Sequence, residues 1–141
     1  MNLTEKIDEL NDAKYKLLLI VGEPGSGKSK IIREYSQETG IPMIDLDKIF
    51  VNTPSDQLMN EMKNFLKTYN QKVLLLDNKK TLYAKDSKID LMEFLKEISL
   101  SIPVVATWNG HIENQQLHHI RKDTLEDLVY PVSNDYHTIL C

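Results

Sequence analysis

The stretch GEPGSGKS, residues 22–29, decides the fold class of this 141-residue chain. It follows the apolar run LLLIV at 17–21 and precedes a segment with helical character that stops at Gly40. The stretch matches the pattern G-x-x-x-x-G-K-[ST], in which glycines let consecutive backbone N–H groups turn inward around an anion. A buried strand before the loop and a helix after it are the context that this pattern requires. We therefore predict that the loop binds phosphate.

Two side chains carry the predicted chemistry of this loop. Lys28, expected to face solvent, supplies a positive charge for the β- and γ-phosphates, and Ser29 supplies a hydroxyl ligand for Mg²⁺. The positive end of the following helix adds to the attraction. The Asn-Lys-x-Asp motif that reads a guanine base does not occur in the sequence, so we expect ATP and Mg²⁺ as cofactors. The candidate nucleotide-binding residues are Gly22, Glu23, Pro24, Gly25, Ser26, Gly27, Lys28, Ser29 and Lys30.

Apolar runs alternate with helical segments along the rest of the chain. Buried strands are predicted at 16–22, 41–47, 72–77 and 102–110, with an edge strand near 136–141. This alternation is typical of a parallel sheet covered by helices on both faces. We expect one α/β domain over residues 1–141, a three-layer P-loop NTPase core of the AAA+/ASCE type with a mainly parallel, roughly five-stranded sheet and no lid domain. Near the end, Leu125, Leu128 and Val129 indicate a short helix.

The composition is that of an ordinary globular protein, with 41% hydrophobic and 27% charged residues. The net charge of −4 does not support DNA contact, which usually needs a basic surface. The first residues are charged rather than signal-like, and no apolar run approaches the roughly 20 residues needed to cross a bilayer. Cys141 is the single cysteine and has no partner for an internal disulfide. We expect a cytoplasmic protein without membrane contact.

In a parallel sheet, ligands bind at the carboxyl ends of the strands, so the residues that follow each run are candidates for the site. Asp77 ends the third run, and an acid at this point is aimed at the Mg²⁺ ion that Ser29 holds. Many ATPases of this class carry Glu at the next position, where it activates the attacking water. This chain has Asn78, which can orient a water but cannot accept its proton. Hydrolysis by the isolated protein should therefore be slow or depend on a partner.

Further candidates lie after the fourth run and in the tail. Either Thr107 or Asn109 is expected between the phosphate and the metal-bound water, with Thr107 slightly favoured. Arg121 is the candidate arginine finger, in cis or toward a neighbouring subunit, and a solvated loop is the alternative for its surroundings. The candidate catalytic residues are Lys28, Asp77, Asn78, Thr107 and Arg121.

The remaining side chains that draw attention have plainer interpretations. Trp108 is expected in the core. Lys79 and Lys80 indicate an exposed face or a contact for a partner. His118 and His119 are adjacent rather than at metal-ligand spacing, so a zinc site is not expected.

Two other functions stay open at this point. Asp45 and Asp47, at the end of the second run, are similar to the Asp-x-Asp of small-metabolite kinases of the shikimate-kinase type, in which one acid serves as the substrate base. Such kinases also need arginines in a lid, and this chain has only Arg33 and Arg121. The other alternative is a non-catalytic module in which bound ATP fixes a binding surface, and Asn78 favours it.

The combination of motifs resembles the BrxF family, the small P-loop proteins of type 3 BREX (bacteriophage exclusion) systems. The resemblance rests on GEPGSGKS at 22–29, LLLDN at 74–78 and VVATWNG at 104–110. It implies a bacterial, cytoplasmic, ATP-binding component that acts beside larger partners, among them a DNA methyltransferase and other BREX proteins. A core without a lid leaves the nucleotide open on one side, so we also expect a homo-oligomer.

Overall fold

The computed structural model describes residues 3–77, 79–82, 89–120 and 127–141. Its strands are β1 (Leu17–Gly22), β2 (Met43–Asp45), β3 (Leu74–Asp77), β4 (Val104–Glu113), β5 (Gln116–His119), β6 (Leu128–Pro131) and β7 (His137–Leu140). Its α-helices are α1 (Leu3–Asp8), α2 (Lys28–Thr39), α3 (Leu46–Ile49), α4 (Leu58–Thr68) and α5 (Leu91–Ser99). Short 3-10 helices occupy Glu9–Asp12, Ser55–Gln57 and Lys80–Leu82. None of the described helices is long and apolar enough to cross a membrane.

Five strands form a parallel sheet in the order β2-β3-β4-β1-β7. The central strand β1 is buried along its whole length, as its uninterrupted apolar sequence predicts for a strand that is covered on both faces. β7 lies at one edge, where the last apolar residues of the chain predict an edge strand. The predicted α/β class with a mainly parallel sheet is therefore confirmed.

Alternate residues of β1 enter two separate apolar clusters, because successive side chains of a strand point to opposite faces of the sheet. Leu17 and Leu19 join the cluster that contains side chains of α3, α4 and α5. Leu18 and Ile20 join the cluster that contains side chains of α1 and α2. The helices thus form one layer on each face of the sheet, and the loop between β1 and α2 emerges at the edge.

The fourth strand continues beyond the parallel sheet. Residues 110–113 of β4 pair with β5 in antiparallel orientation, and β5 pairs with β6. The predicted helix that includes Leu128 and Val129 is therefore wrong, because both residues belong to β6, while Leu125 lies outside the described residues. Leu128 and Tyr130 pack on the core and Val129 is exposed, which is the alternation of a strand with one covered face.

Candidate nucleotide-binding site

The carboxyl ends of the parallel strands meet at one edge of the sheet. Gly22 at the end of β1 lies opposite Asn109 of β4. The register of β3 against β4 brings Asp77 and Thr107 to the same edge. The residues that the sequence places at the ends of β3 and β4 therefore lie at the edge from which the glycine-rich loop emerges.

The loop between β1 and α2 has the backbone form of an anion-binding turn. Gly25 and Gly27 have φ angles of 86° and 96°, which only glycine adopts at little steric cost. Gly27 precedes the first residue of α2, and no side chain caps the N–H groups of that first turn. These N–H groups have no acceptor within the helix, so they are donors for a phosphate oxygen.

Lys28 lies inside the loop rather than in solvent. Its side chain is 6% exposed, and its Nζ donates a hydrogen bond of 2.9 Å to the carbonyl oxygen of Glu23. The expectation of a solvent-facing Lys28 is therefore wrong, because the loop folds back over its own lysine. Burial lowers the pKa of Lys28, and the nearby Cys141 opposes this shift.

The other predicted loop residues differ in exposure. Ser29 is half-buried in the first turn of α2, next to Lys28. Lys30 points outward and forms an ion pair of 3.9 Å with Glu34. The exposed positions of the loop are Glu23, Pro24, Gly25, Ser26 and Gly27.

A second buried lysine lies at the same edge of the sheet. Lys79, two residues beyond the end of β3, is 5% exposed, and its Nζ donates a hydrogen bond of 3.1 Å to Thr107 Oγ1. The interpretation of Lys79 as an exposed face or a partner contact is therefore wrong. One feature of the sequence does indicate that Lys79 lies near the site. It follows the strand-ending Asp77 by two residues, where the chain still runs along the carboxyl edge of the sheet.

The charge of Lys79 is unfavourable in this position. The pKa of Lys79 is lowered to about 8, mainly by burial and also by the positive charge of Lys28, while Asp77 and Asp47 act in the opposite direction. These electrostatic effects show that two lysines and two acids share one confined region. The two lysines are the buried members of this group, whereas the two acids are half-buried, so an anion beside the lysines would compensate the burial of their charges.

The two acids after β2 have structural partners. Asp45 caps α3, since its Oδ1 accepts from the backbone N–H of Lys48 at 3.2 Å. Asp47 Oδ1 accepts from both the backbone N–H and the hydroxyl of Thr81, at 2.9 and 2.8 Å. Asp47 thus ties the segment that follows β3 to the segment that follows β2. These contacts account for the Asp-x-Asp pattern without a substrate base.

The structure distinguishes the two polar candidates of β4. Thr107 is buried and contacts Lys79, whereas Asn109 is half-buried beside the start of the loop, and its carbonyl oxygen accepts from the N–H of Ile120 at 2.8 Å. Trp108 between them is fully buried, as expected for a core side chain. Asn78 and Arg121 lie outside the described residues.

A cavity of about 690 Å³ borders the loop on the side of α1, α2 and β7. Its volume is within the range of small-molecule sites in proteins. Ser26 of the loop forms part of its wall, so a ligand with its phosphates in the loop would have space for a further group here. The lining residues are Leu3, Thr4, Ser26, Ile31, Glu34, Tyr35, Glu38, Ile139, Leu140 and Cys141.

Comparison with known proteins supports the nucleotide-binding interpretation. Residues 18–114, more than half of the chain, match the family described as ATPase family associated with various cellular activities (AAA). This match includes the loop, Asp77 and Thr107. Searches of curated proteins and of solved structures gave no significant match. From the family match, together with the parallel sheet and the loop at its edge, the chain belongs to the AAA family of ATPases.

Proposed function

We propose that the chain binds Mg²⁺-ATP at the edge of the sheet. The observation that carries the proposal is the meeting of the glycine-rich loop, Asp77 and the buried pair Lys79–Thr107 at that edge. The loop N–H groups and Lys28 hold the β- and γ-phosphates, and Ser29 and Asp77 are the protein ligands of Mg²⁺. The base and ribose occupy the cavity beside Ser26.

Catalysis by these residues is mainly electrostatic. Transfer of a phosphoryl group to water places charge on the γ-phosphate oxygens, and positioned cations stabilise it. Lys28 supplies one cation and Lys79 a second, since both ammonium groups lie in the same confined region. In this proposal the Thr107 hydroxyl, which accepts a hydrogen bond from Lys79, orients a water. Asn78 provides no base, so hydrolysis is slow until a partner completes the site.

We further propose that this ATPase is a cytoplasmic subunit of a bacterial anti-phage complex of the type 3 BREX class. The support is the resemblance of residues 22–29, 74–78 and 104–110 to the BrxF family. In this proposal other BREX proteins supply the missing catalytic group. A second copy of the chain is the other source, with Arg121 as the arginine finger that it contributes.

Single-turnover hydrolysis of radiolabelled ATP tests the proposed activity. The isolated chain should convert ATP to ADP slowly, and adding the other proteins of the complex should raise the rate by about 100-fold or more, the scale of a supplied catalytic group. Asp77→Asn should abolish the stimulated rate because a neutral amide is a weak Mg²⁺ ligand. The exposed Asp56→Asn is the matched control and should retain it.

A non-catalytic, nucleotide-gated module is the second candidate, and Asn78 is the observation that favours it. In that case the chain binds ATP but forms no ADP under any condition. Asp77→Asn still weakens Mg²⁺-dependent binding. ADP formation in the presence of partners excludes this candidate.

A further inference from the structure

The antiparallel extension of β4 brings a group of potential metal ligands together. The two-residue turn at Asn114 and Gln115, with φ angles of 52° and 62°, has the form that joins strands of a tight hairpin. It sets His111 of β4 directly opposite His118 of β5. Because side chains alternate between the faces of a strand, Glu113 lies on the same face as His111. The hairpin therefore presents two imidazoles and one carboxylate on a single face.

The ligand atoms of these three side chains are close to one another. One such atom from each of His111, Glu113 and His118 can be chosen so that all lie within 4.8 Å of one another. The two imidazole rings are parallel, at a centroid distance of 4.7 Å, and His111 Nε2 is 3.6 Å from Glu113 Oε2. Neighbouring ligand atoms of a tetrahedral zinc ion are about 3.3 Å apart, a separation that small side-chain rotations would reach here.

Another carboxyl group lies near His118, just before the adjacent strand. Asp127 precedes β6, and its Oδ2 is 4.0 Å from His118 Nδ1. The carboxylates of Asp127 and Glu113 together balance the charge of a divalent cation. Two imidazoles and two carboxylates form the mixed nitrogen and oxygen set that suits zinc and other first-row transition metals, and not Mg²⁺ or Ca²⁺.

The backbone around the cluster is fixed, so the ligands are held in register. Trp108 Nε1 donates a hydrogen bond of 2.9 Å to the carbonyl oxygen of His118. At Gly110, a Cβ atom would collide with the same carbonyl oxygen, so the close approach of β4 and β5 requires glycine. In addition, His111 Nδ1 is buried, and no hydrogen bond to it is found within the described part of the chain. A buried imidazole nitrogen without a hydrogen bond is costly to fold.

We propose that His111, Glu113, His118 and Asp127 form a binding site for a zinc-type divalent transition metal, separate from the Mg²⁺ site of the nucleotide. The sequence-based expectation of no zinc site rests on the adjacency of His118 and His119 and on the absence of Cys or His partners near them. It missed the cross-strand pair because the hairpin that creates it was not predicted. The bound ion links β4, β5 and the start of β6, so its function is to hold the antiparallel extension together.

Titration of chelator-treated protein with Zn²⁺, in the presence of saturating Mg²⁺ and in a Cys141→Ser background, tests the site. Calorimetry should give one Zn²⁺ per chain, and Co²⁺ in its place should develop the visible absorption of a tetrahedral complex. His118→Gln and His111→Gln should each weaken Zn²⁺ binding at least tenfold, and the double variant should abolish it. His137→Gln, on β7 and outside the cluster, is the matched control and should bind like the parent.

Circular dichroism of each metal-free variant tests whether it is folded. A loss of Zn²⁺ binding supports the proposal only where the variant has the spectrum of the parent. In the parent, Zn²⁺ should raise the Tm by several degrees, and in the double variant it should not. Asp127→Asn should weaken Zn²⁺ binding less than His118→Gln does. The proposal is overturned if the parent binds no Zn²⁺, or if the double variant binds it as tightly as the parent.

Discussion

The phosphate loop and the segment after β3 each hold a buried lysine, but they hold it in different ways. Lys28 is retained by its own loop, through a carbonyl oxygen five residues away. Lys79 is retained by the hydroxyl of Thr107, which is 28 residues away on another strand. The first contact is local and belongs to a known motif. The second exists only after β3 and β4 have paired.

The two lysines also differ in the free-energy cost of burying their charge. The loop can hold Lys28 near its backbone at modest cost, whereas Lys79 is enclosed so completely that its pKa falls to about 8. The protein therefore carries an unfavourable charge beside the nucleotide site. Groups of this kind concentrate at functional sites, where a ligand of opposite charge compensates them.

The largest expected effect comes from Lys28→Ala. Removing the ammonium should lower ATP affinity by about 100-fold, or about 2.7 kcal/mol, because a charge-assisted contact to phosphate is lost. The fold should persist, since the loop backbone is set by glycine. Calorimetry with ATP and Mg²⁺ measures the effect, and Lys63→Ala on the exposed face of α4 is the control. Unchanged affinity in Lys28→Ala would refute the phosphate site.

Lys79→Met should differ from Lys28→Ala in its effect, because it should stabilise the protein while weakening ATP binding. A folded-state pKa of about 8 against a usual 10.5 corresponds to a cost of about 3 kcal/mol at neutral pH. Removing the buried charge recovers this free energy, and the loss of the hydrogen bond to Thr107 offsets part of it. We therefore expect a net stabilisation of about 2 kcal/mol. Urea unfolding measures it, and a destabilised Lys79→Met would contradict the assigned cost.

The stability difference between the wild type and Lys79→Met should depend on pH. Because the pKa of Lys79 is lowered on folding, the unfolded chain binds more protons between about pH 8 and about pH 10.5. The cost of Lys79 is complete below this window and disappears as the pH rises through it. The stability advantage of Lys79→Met should therefore fall by about 2 kcal/mol between about pH 7 and about pH 9.5, which removes most of it. A constant advantage over this range would show that charge burial is not its cause.

The smallest effect is expected from Thr107→Val, which keeps the shape of the side chain and removes the acceptor of Lys79. Stability should fall by about 1 kcal/mol in the wild type and by less in the Lys79→Met background, since the hydrogen bond is already gone there. Thr138→Val on β7 is the matched control. Equal losses in both backgrounds, measured by urea unfolding, would mean that the Lys79–Thr107 contact contributes nothing.

Much of the fold was predictable because it depends on local patterns. Continuous apolar runs gave the parallel strands, and the glycine-rich loop gave the connection between β1 and α2. The antiparallel extension was missed, since its turn uses Asn114 and Gln115 instead of glycine. Around Leu128, the spacing of leucine and valine over so few residues fits a helix as well as a strand, so the sequence does not distinguish them.

The candidate site likewise contains residues that a local motif predicts and contacts that depend on the assembled sheet. The loop residues follow from a motif whose geometry is built into eight consecutive positions. The partners of Lys79 and Asp47 depend on strand register and on which backbone segments meet at the sheet edge. Register is a property of the assembled sheet, so the position of Lys79 after Asp77 predicts that it lies at this edge, but it does not predict that the side chain is buried.

The length of β4 gives the protein a mechanical property. Thr107 and Glu113 belong to one unbroken strand, and six residue steps of extended chain span about 20 Å. The end near Thr107 is clamped between neighbouring strands, while the other end projects as a hairpin. The hairpin and the Thr107 hydroxyl are therefore connected through one continuous strand.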